Sequence, residues 1–433
     1  MNRIRTVLLP VLTAALLVAG GCSTPYYQQK ADDENYQIIQ QIERQIFGRT
    51  NTFSVDTRYS KRDPSEIKPP ELILARMAPG ELHLNLQSAL DTAYQNSRPY
   101  QRQKEDLYLA ALNLSNRRNV FSSIWSGRVN PDLERESDGD VKVQSRSATQ
   151  LGVSKRILRT GGTISATLAN DVLRFVTGSG GRSLANTLSI SLSQPLLRDF
   201  GRYSPLAENL TQAERNVIYE LRDFSQFHKS FAVAVVNDYF DLLGRKNTIR
   251  NNYANYMSLK GATGRARARD KVEQPINYQL ALQAELRQKN SYINSIVDYQ
   301  RTLDDFKDRL GVPLTTKVFL DDQPFADLVA SGMVPVGFDG KLAYAMAVEK
   351  HLPTLNEIDR FEDSKRKILV AANQLKPGLD LDGSAALAWN KEEDYQRFDV
   401  DQVRANMGLV IDLPLNRVNE RNSYRSTLIN FER

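Results

Sequence analysis

One cysteine, Cys22, and three histidines, His83, His228 and His351, are the scarcest reactive side chains of this 433-residue sequence. A single thiol cannot form an internal disulfide, so any chemistry at Cys22 must come from its neighbours in sequence. The histidines are scattered, and His228 falls within an apolar helical stripe, where it reads as a satisfied structural residue. Asp321-Asp322 and Glu392-Glu393-Asp394 have the composition of acidic pairs for metal or acid–base work, but both read as solvated loops. Gly178-Ser179-Gly180-Gly181-Arg182 lacks the Lys-Ser/Thr of a phosphate-binding loop and reads as a turn. These candidates do not converge. The expectation is a protein that is not an enzyme, with no cofactor and no metal site.

Cys22 has the more informative surroundings. Arg3 and Arg5 precede an apolar run from Val7 to Ala19, and Ala19, Gly20 and Gly21 lead into the cysteine. Charge, apolar core and small residues in that order are the pattern of a secretory signal. The run is too short for the roughly 20 helical residues that a hydrocarbon core requires. A cysteine directly after small residues resembles the lipobox of bacterial lipoproteins, with Ala19 in place of the usual leucine. The resemblance implies a signal peptide over 1–21 and acylation (palmitate among the acyl chains) at Cys22. Each buried CH₂ contributes about 0.8 kcal/mol, so two or more chains hold a protein durably on a bilayer. Ser23 stands where an inner-membrane retention signal would have Asp, which favours the outer membrane.

Composition narrows the class. Hydrophobic residues make up 41% and the mean hydropathy is −0.45, values that exclude a polytopic helical membrane protein. The formal charge of +6 is spread along the chain among acids. Arg265, Arg267, Arg269 and Lys271 form the densest basic cluster, read as a solvated loop and not as a nucleic-acid patch.

The elements that could position a site follow from periodicity. Residues 22–80 read as a lipidated tether: a short amphipathic helix with Ile38, Ile39, Ile42 and Ile46 near one face, then an extended segment punctuated by Pro64, Pro69, Pro70 and Pro79. Leu84 to about Ile124 is helical in pattern, with a kink or restart at Pro99. The period then becomes two. Ile164, Ala166 and Leu168 alternate with Thr163, Ser165 and Thr167, and Leu188, Ile190 and Leu192 with Ser189, Ser191 and Ser193. With glycines between them, these segments read as a hairpin. Either a soluble sandwich or a transmembrane barrel shows such alternation.

A very long helix is expected from about Ser204 to Arg269. Val217, Leu221, Phe224, His228, Phe231 and Val235 are spaced alternately four and three. A charged break ends at Gln274 and Pro275. Tyr292, Ile296, Tyr299, Leu303, Phe306 and Leu310 then repeat that spacing, which describes an antiparallel coiled-coil hairpin. The order also recurs. Phe338, Ala343, Ala347 and Pro353 match Leu84, Ala89, Ala93 and Pro99, strand signals return at 379–389 and 407–413, and Gln194-Pro195-Leu196-Leu197-Arg198 is echoed by Leu413-Pro414-Leu415-Asn416-Arg417. Repeats of this size suggest duplication.

From about residue 81 onward the chain resembles the TolC family of outer membrane efflux proteins. The residues that carry the resemblance are Leu84-Asn85-Leu86-Gln87-Ser88-Ala89-Leu90, Leu188 to Arg198, Val236-Asn237-Asp238-Tyr239-Phe240-Asp241-Leu242-Leu243, Asn277 to Leu286 and Arg309-Leu310-Gly311. The resemblance implies a mainly α fold with a β-barrel part, and a homotrimer in which each protomer gives four strands to one shared barrel. Long helical hairpins then form a periplasmic tunnel. The function implied is a passive outer membrane conduit in tripartite efflux or type I secretion. Its partners would be outer membrane lipid, a periplasmic adaptor and an inner-membrane pump of the proton-driven RND or ATP-driven ABC type.

On this reading the first repeat spans 81–313, a linker 314–336 and a second, incomplete repeat 337–433. Arg269, Asp270, Lys271 and Asn277 are the candidate adaptor contacts at the hairpin tip. Lys271 and Asn277 stand where the family usually has a glycine and, six positions later, an acidic residue. The chain stops 19 residues (433 − 414) beyond Pro414, before a second long hairpin, and is expected to be C-terminally truncated. The alternatives are a periplasmic adaptor and a non-conducting structural lipoprotein with a coiled-coil hairpin.

Overall fold

The computed structural model describes residues 23–136, 142–177, 183–269, 275–333, 335, 337, 339–389 and 403–433. They form two compact units interleaved along the sequence: 1–50 with 109–220 and 354–433, and 51–108 with 221–353. Among the described residues no helix is long and apolar enough to cross a membrane.

The unit that contains the N-terminus begins with helix α1, Thr24–Phe47. It is much longer than the apolar stripe alone announced. Ile38 and Ile39 are buried on one side, and Gly48, in the left-handed conformation at φ 67°, ends it. The other unit opens on the proline-rich stretch, which is not simply extended. A 3-10 turn at Pro64–Glu66 is capped by the Asp63 carboxylate, and helix α2, Pro69–Met77, starts with proline in its first turn. Proline lacks an N–H that the first turn does not use, so a proline cluster begins a helix as readily as it prevents one.

A short strand, β1 (Glu81–Leu84), precedes helices α3 (Leu86–Asn96) and α4 (Arg98–Asn119). The Asn85 side chain accepts from the Ser88 N–H while the Ser88 hydroxyl accepts from the Asn85 N–H, a reciprocal cap. Pro99 occupies the first turn of α4, so of the kink or restart expected there the restart is what occurs.

Four strands follow where two were expected: β2 (Ser123–Glu136), β3 (Lys142–Arg156), β4 (Thr163–Thr177) and β5 (Ser183–Pro195). Beyond them lie the long helices α5 (Pro205–Arg269) and α6 (Pro275–Leu310), with bounds close to those read from heptad spacing. Arg265, Arg267 and Arg269 therefore belong to a helix and not to a loop. The segment read as a linker contains strand β6 (Lys317–Leu320) and helix α7 (Gln323–Ser331). β6 pairs in parallel with β1, from Glu81 opposite Lys317 to Leu84 opposite Leu320. Helices α8 (Gly340–Lys350) and α9 (Leu352–Gln374), strands β7 (Gly378–Trp389) and β8 (Val403–Asp412), and helix α10 (Val418–Glu432) complete the chain.

β2 to β5, β7 and β8 form one antiparallel sheet in the order β2-β3-β4-β5-β7-β8. The family resemblance implied four strands per chain, and this sheet has six. The second unit is built around a helical core. Val235, Tyr239 and Leu242 of α5 and Phe306 and Leu310 of α6 are fully buried with Ala89 and Ala93 of α3. Tyr239 donates its hydroxyl to the Asp321 carbonyl at 2.9 Å, which joins this core to the end of the parallel strand pair. Gly311, at φ 70°, ends α6 against the Asn96 carbonyl, where any Cβ would collide.

Candidate functional site

The sheet's register decides which side chains share a face, because partners directly opposite in an antiparallel ladder point the same way. Trp125 lies opposite Val153, Val153 opposite Ala166, Ala166 opposite Ile190, Ile190 opposite Ala385 and Ala385 opposite Ala405. A parallel row runs from Leu151 through Leu168 and Leu188 to Leu387 and Val403. Every odd-numbered position of β8 on that side is apolar: Val403, Ala405, Met407, Leu409 and Ile411.

The opposite face carries Ser126, Arg128 and Asn130 on β2, Gln150 and Ser154 on β3, and Thr163, Ser165 and Thr167 on β4. Ser189, Ser191 and Ser193 of β5, Asp380, Asp382 and Ser384 of β7, and Arg404 and Asn406 of β8 share it, together with the apolar Ile124 and Val410. Its groups bond to one another across strands. The Ser165 and Ser191 hydroxyls are 2.7 Å apart, and Arg146 pairs with Asp171 through its guanidinium. The apolar face, by contrast, is open to its surroundings: Trp125 is 79% exposed, Ile190 52%, Met407 81% and Leu409 62%. Near the helix-side end these strands of 10 to 15 residues have one apolar and one polar face, as a tilted transmembrane β-strand requires; further along the first face Thr149 lies opposite Asn170 and Asn170 opposite Asn186.

The helix-side end of the sheet is tightly bonded. The turn at 157–162 is closed by the Ile157 N–H donating to the Gly162 carbonyl at 2.7 Å. Gln194 Nε2 donates to the Thr160 carbonyl at 3.0 Å. Gly161, at φ 80°, comes so near Asp199 that a Cβ would stand 2.5 Å from its carbonyl oxygen. Asp199 is the one non-glycine residue with positive φ among the described residues, at 65°. Its N–H donates to Asn373 Oδ1 at 2.9 Å, and Arg198 reaches Asp412 at 2.7 Å. These bonds tie the ends of β3, β4, β5 and β8 to the end of α9.

Just beyond, α9 lies along the first turns of α5 through a buried polar cluster that sequence periodicity did not reveal. Asp363, 2% exposed, accepts from the Tyr219 hydroxyl at 2.6 Å and pairs with Arg366 at 3.0 Å. Arg366 also pairs with Glu208 at 2.6 Å. Burial, followed by the neighbouring Asp363 carboxylate, pushes the Tyr219 hydroxyl well above its ordinary range. The signal available in sequence, charged residues at apolar helix positions, is indistinguishable from a solvated face without the partner helix.

The hairpin of α5 and α6 is antiparallel along its length. The Thr263 hydroxyl donates to the Ala281 carbonyl at 3.1 Å, Gln288 Nε2 donates to Asn252 Oδ1 at 3.2 Å, Tyr253 packs on Tyr292 at 5.3 Å, and Arg309 pairs with Asp238. Of the four tip candidates, Arg269 is the last residue of α5 and Asn277 is exposed in the first turn of α6. Asp270 and Lys271 lie outside the described residues, as do Cys22, the 178–182 turn and Glu392-Glu393-Asp394.

The remaining reactive residues have structural partners. His228 Nδ1 is 2.9 Å from the Tyr100 hydroxyl and its ring stacks on Tyr94 at 4.9 Å. His83 stacks on Phe319 at 4.8 Å. Asp322 is bridged by Lys246 at 2.7 Å and Arg250 at 3.1 Å, and the hydrogen bond from Lys246 is the main cause that holds its carboxyl below the usual range.

No protein-family model and no curated protein matches the chain by sequence. Its fold, however, is found in solved membrane proteins. The outer membrane protein VceC from Vibrio cholerae superposes with a TM-score of 0.52 at 12% identity, over 80% of this chain and 72% of VceC. A membrane protein from Pseudomonas aeruginosa gives 0.52 at 12% identity over 80% and 68%. CusC, whose structures describe transmembrane channel formation, gives 0.51 at 10% identity over 80% and 70%. The chain therefore shares the fold of these solved proteins, long helices combined with an antiparallel sheet.

Proposed function

We propose that this chain is a TolC-family outer membrane channel subunit, a passive conduit of a tripartite export system. The observation that carries the reading is the six-stranded sheet, apolar and exposed on one face and lined with hydroxyl, amide and charged groups on the other. Placed in a bilayer, the apolar face meets acyl chains and the polar face meets water, which satisfies both without an internal core. The solved relatives of the fold support an outer membrane location.

In this reading three copies close their sheets into one barrel, and the α5–α6 hairpin contributes to a periplasmic helical tunnel. The element order helix, strands, helix, which occurs at 86–269 and again at 340–432, is the product of duplication. Arg269, Asp270, Lys271 and Asn277 form the end that meets a periplasmic adaptor, and an inner-membrane pump supplies the energy. Cys22, acylated after removal of 1–21, holds the N-terminal segment at the periplasmic face of the outer membrane as a second anchor.

Single-channel conductance of the purified protein reconstituted in planar bilayers tests the central point. Discrete conductance steps are expected, and their absence under all voltages and salts overturns the channel reading. Metabolic labelling with a palmitate analogue tests the anchor separately: label is expected on the parent and not on Cys22→Ala.

A further inference from the structure

Resting on the trimeric channel reading, we infer that the open edges of the sheet are an interface for a second copy of this chain, β2 against β8, and that the closed barrel has eighteen strands where the resemblance implied twelve.

Three observations carry this. First, six strands cannot close alone, since the smallest membrane barrels have eight, and among the described residues the sheet ends on two unpaired edges, β2 and β8. Unpaired backbone groups are not tolerated at lipid depth. Five successive antiparallel pairings leave β2 and β8 running in opposite directions. The β8 of one copy can therefore lie antiparallel to the β2 of the next, and the same contact repeated around a ring closes it. Three copies of six strands give eighteen.

Second, the additional hairpin belongs to the wall. Level with Ala166 and Leu168 of β4, β2 and β3 continue the apolar face with Trp125, Leu151 and Val153 and the polar face with Ser126, Arg128, Gln150 and Ser154, and where β4 changes to Asn170 the facing residue of β3 changes to Thr149. A hairpin folded over the lumen would have no reason to keep that division in phase with β4. Both edge strands are exposed along their described length, as segments awaiting a neighbour are.

Third, a twelve-strand barrel would need the neighbour's β8 to pair with β4, and that edge is occupied. β3 pairs with β4 from Arg156 opposite Thr163 to Val143 opposite Thr177. The connecting turn is fixed by the Thr160, Gly161 and Gln194 contacts described above. Freeing β4 would break a full ladder and a bonded turn. Pro131 has no N–H to give, and proline within sheets is confined to edges and ladder gaps. The ladder between copies is accordingly placed on 123–130 of β2 against β8.

Barrel diameter grows roughly in proportion to strand number, so the wall would be about 1.5-fold wider than one of twelve strands.

Paired cysteines on the polar face decide between the two closures. Ser126→Cys on β2 is combined in turn with Arg404→Cys, Asn406→Cys and Gly408→Cys on β8. A second series combines Thr167→Cys on β4 with the same three. Oxidation is carried out on the full chain in outer membranes, with the parent, which retains Cys22, as background. Covalent dimers and trimers from at least one Ser126 pair, and none from the Thr167 pairs, are the expected result. Cross-links from Thr167 pairs overturn the inference in favour of twelve strands. A trimeric mass for the purified parent with no cross-link in either series also overturns it, while leaving the channel reading standing. A monomeric mass with no conductance removes both.

Discussion

Ile190, Leu192, Met407 and Leu409 of the sheet are 52%, 37%, 81% and 62% exposed, whereas Val235, Leu242, Phe306 and Leu310 of the helical unit are completely buried. Both sets are large apolar side chains, and each follows the period of its element. The difference lies in what covers them. In the helical unit, α3, α5 and α6 supply the cover from within the chain, so burial is complete once the hairpin forms. In the sheet no element lies over the apolar face among the described residues, and a surface of that extent is the mark of a lipid or protein contact. Apolar periodicity identifies a face to be covered. It does not name the cover.

The sharpest way to break this contrast is to damage each region where its cover matters. Phe306→Ala removes a fully buried ring and is expected to cost about 3–5 kcal/mol, read by denaturant unfolding followed through helical circular dichroism. A loss below about 1 kcal/mol would mean that the helical core is not the stable centre of its unit.

In the sheet the matching experiment needs a bilayer. Ile190→Arg places a charge on the apolar face and is expected to cost up to about 2–4 kcal/mol near the bilayer midplane, measured as folding into lipid vesicles. Ser191→Arg, one residue along and on the polar face, is expected to fold nearly as the parent. Equal penalties at the two positions would refute the assignment of faces.

A pH titration separates the regions by their ionisable groups. Burial pushes the Tyr100 and Tyr239 hydroxyls of the helical unit up from 10.0 to about 12. The folded state holds these protons more tightly than the unfolded chain does. Their stabilisation is therefore fully present below the unfolded value of about 10 and is lost as pH rises through about 12. The helical core is expected to loosen across that window, and Tyr100→Phe to flatten the slope. A slope that Tyr100→Phe leaves unchanged would remove Tyr100 from the account.

The smallest effect is local. Asn85→Ala deletes the reciprocal cap of α3 and is expected to cost about 1 kcal/mol. Hydrogen exchange should rise at the Ser88 amide and in the helix's first turn, while the amides of β4 and β5 keep their protection.

The hairpin of α5 and α6 was legible because heptad spacing at Val217–Val235 and Tyr292–Leu310 persists far longer than chance alternation, and Pro275 marks the restart. β4, β5, β7 and β8 were legible from the clean alternation of aliphatic and hydroxyl or small side chains. The individual strands β2 and β3 were not, since Pro131 and Gly127 interrupt the alternation and a mixture of Arg, Asp, Gln and Ser blurs it. β1 and β6 were too short to carry a period, and their pairing spans more than 230 positions, from Glu81 to Lys317. The helix in the proline-rich stretch is not legible, because proline's place in a first helical turn looks the same in sequence as its place in a linker.

What the sequence determined by itself was a set of amphipathic elements and their order, because side-chain period is a local property of helix and strand. How many strands share one sheet, which edges stay open, and where Asp363 finds Tyr219 and Arg366 finds Glu208 were decided by tertiary structure. Those outcomes depend on pairing between residues that no local period connects, and the same alternation is compatible with a core, a membrane or a neighbouring copy until the register is known.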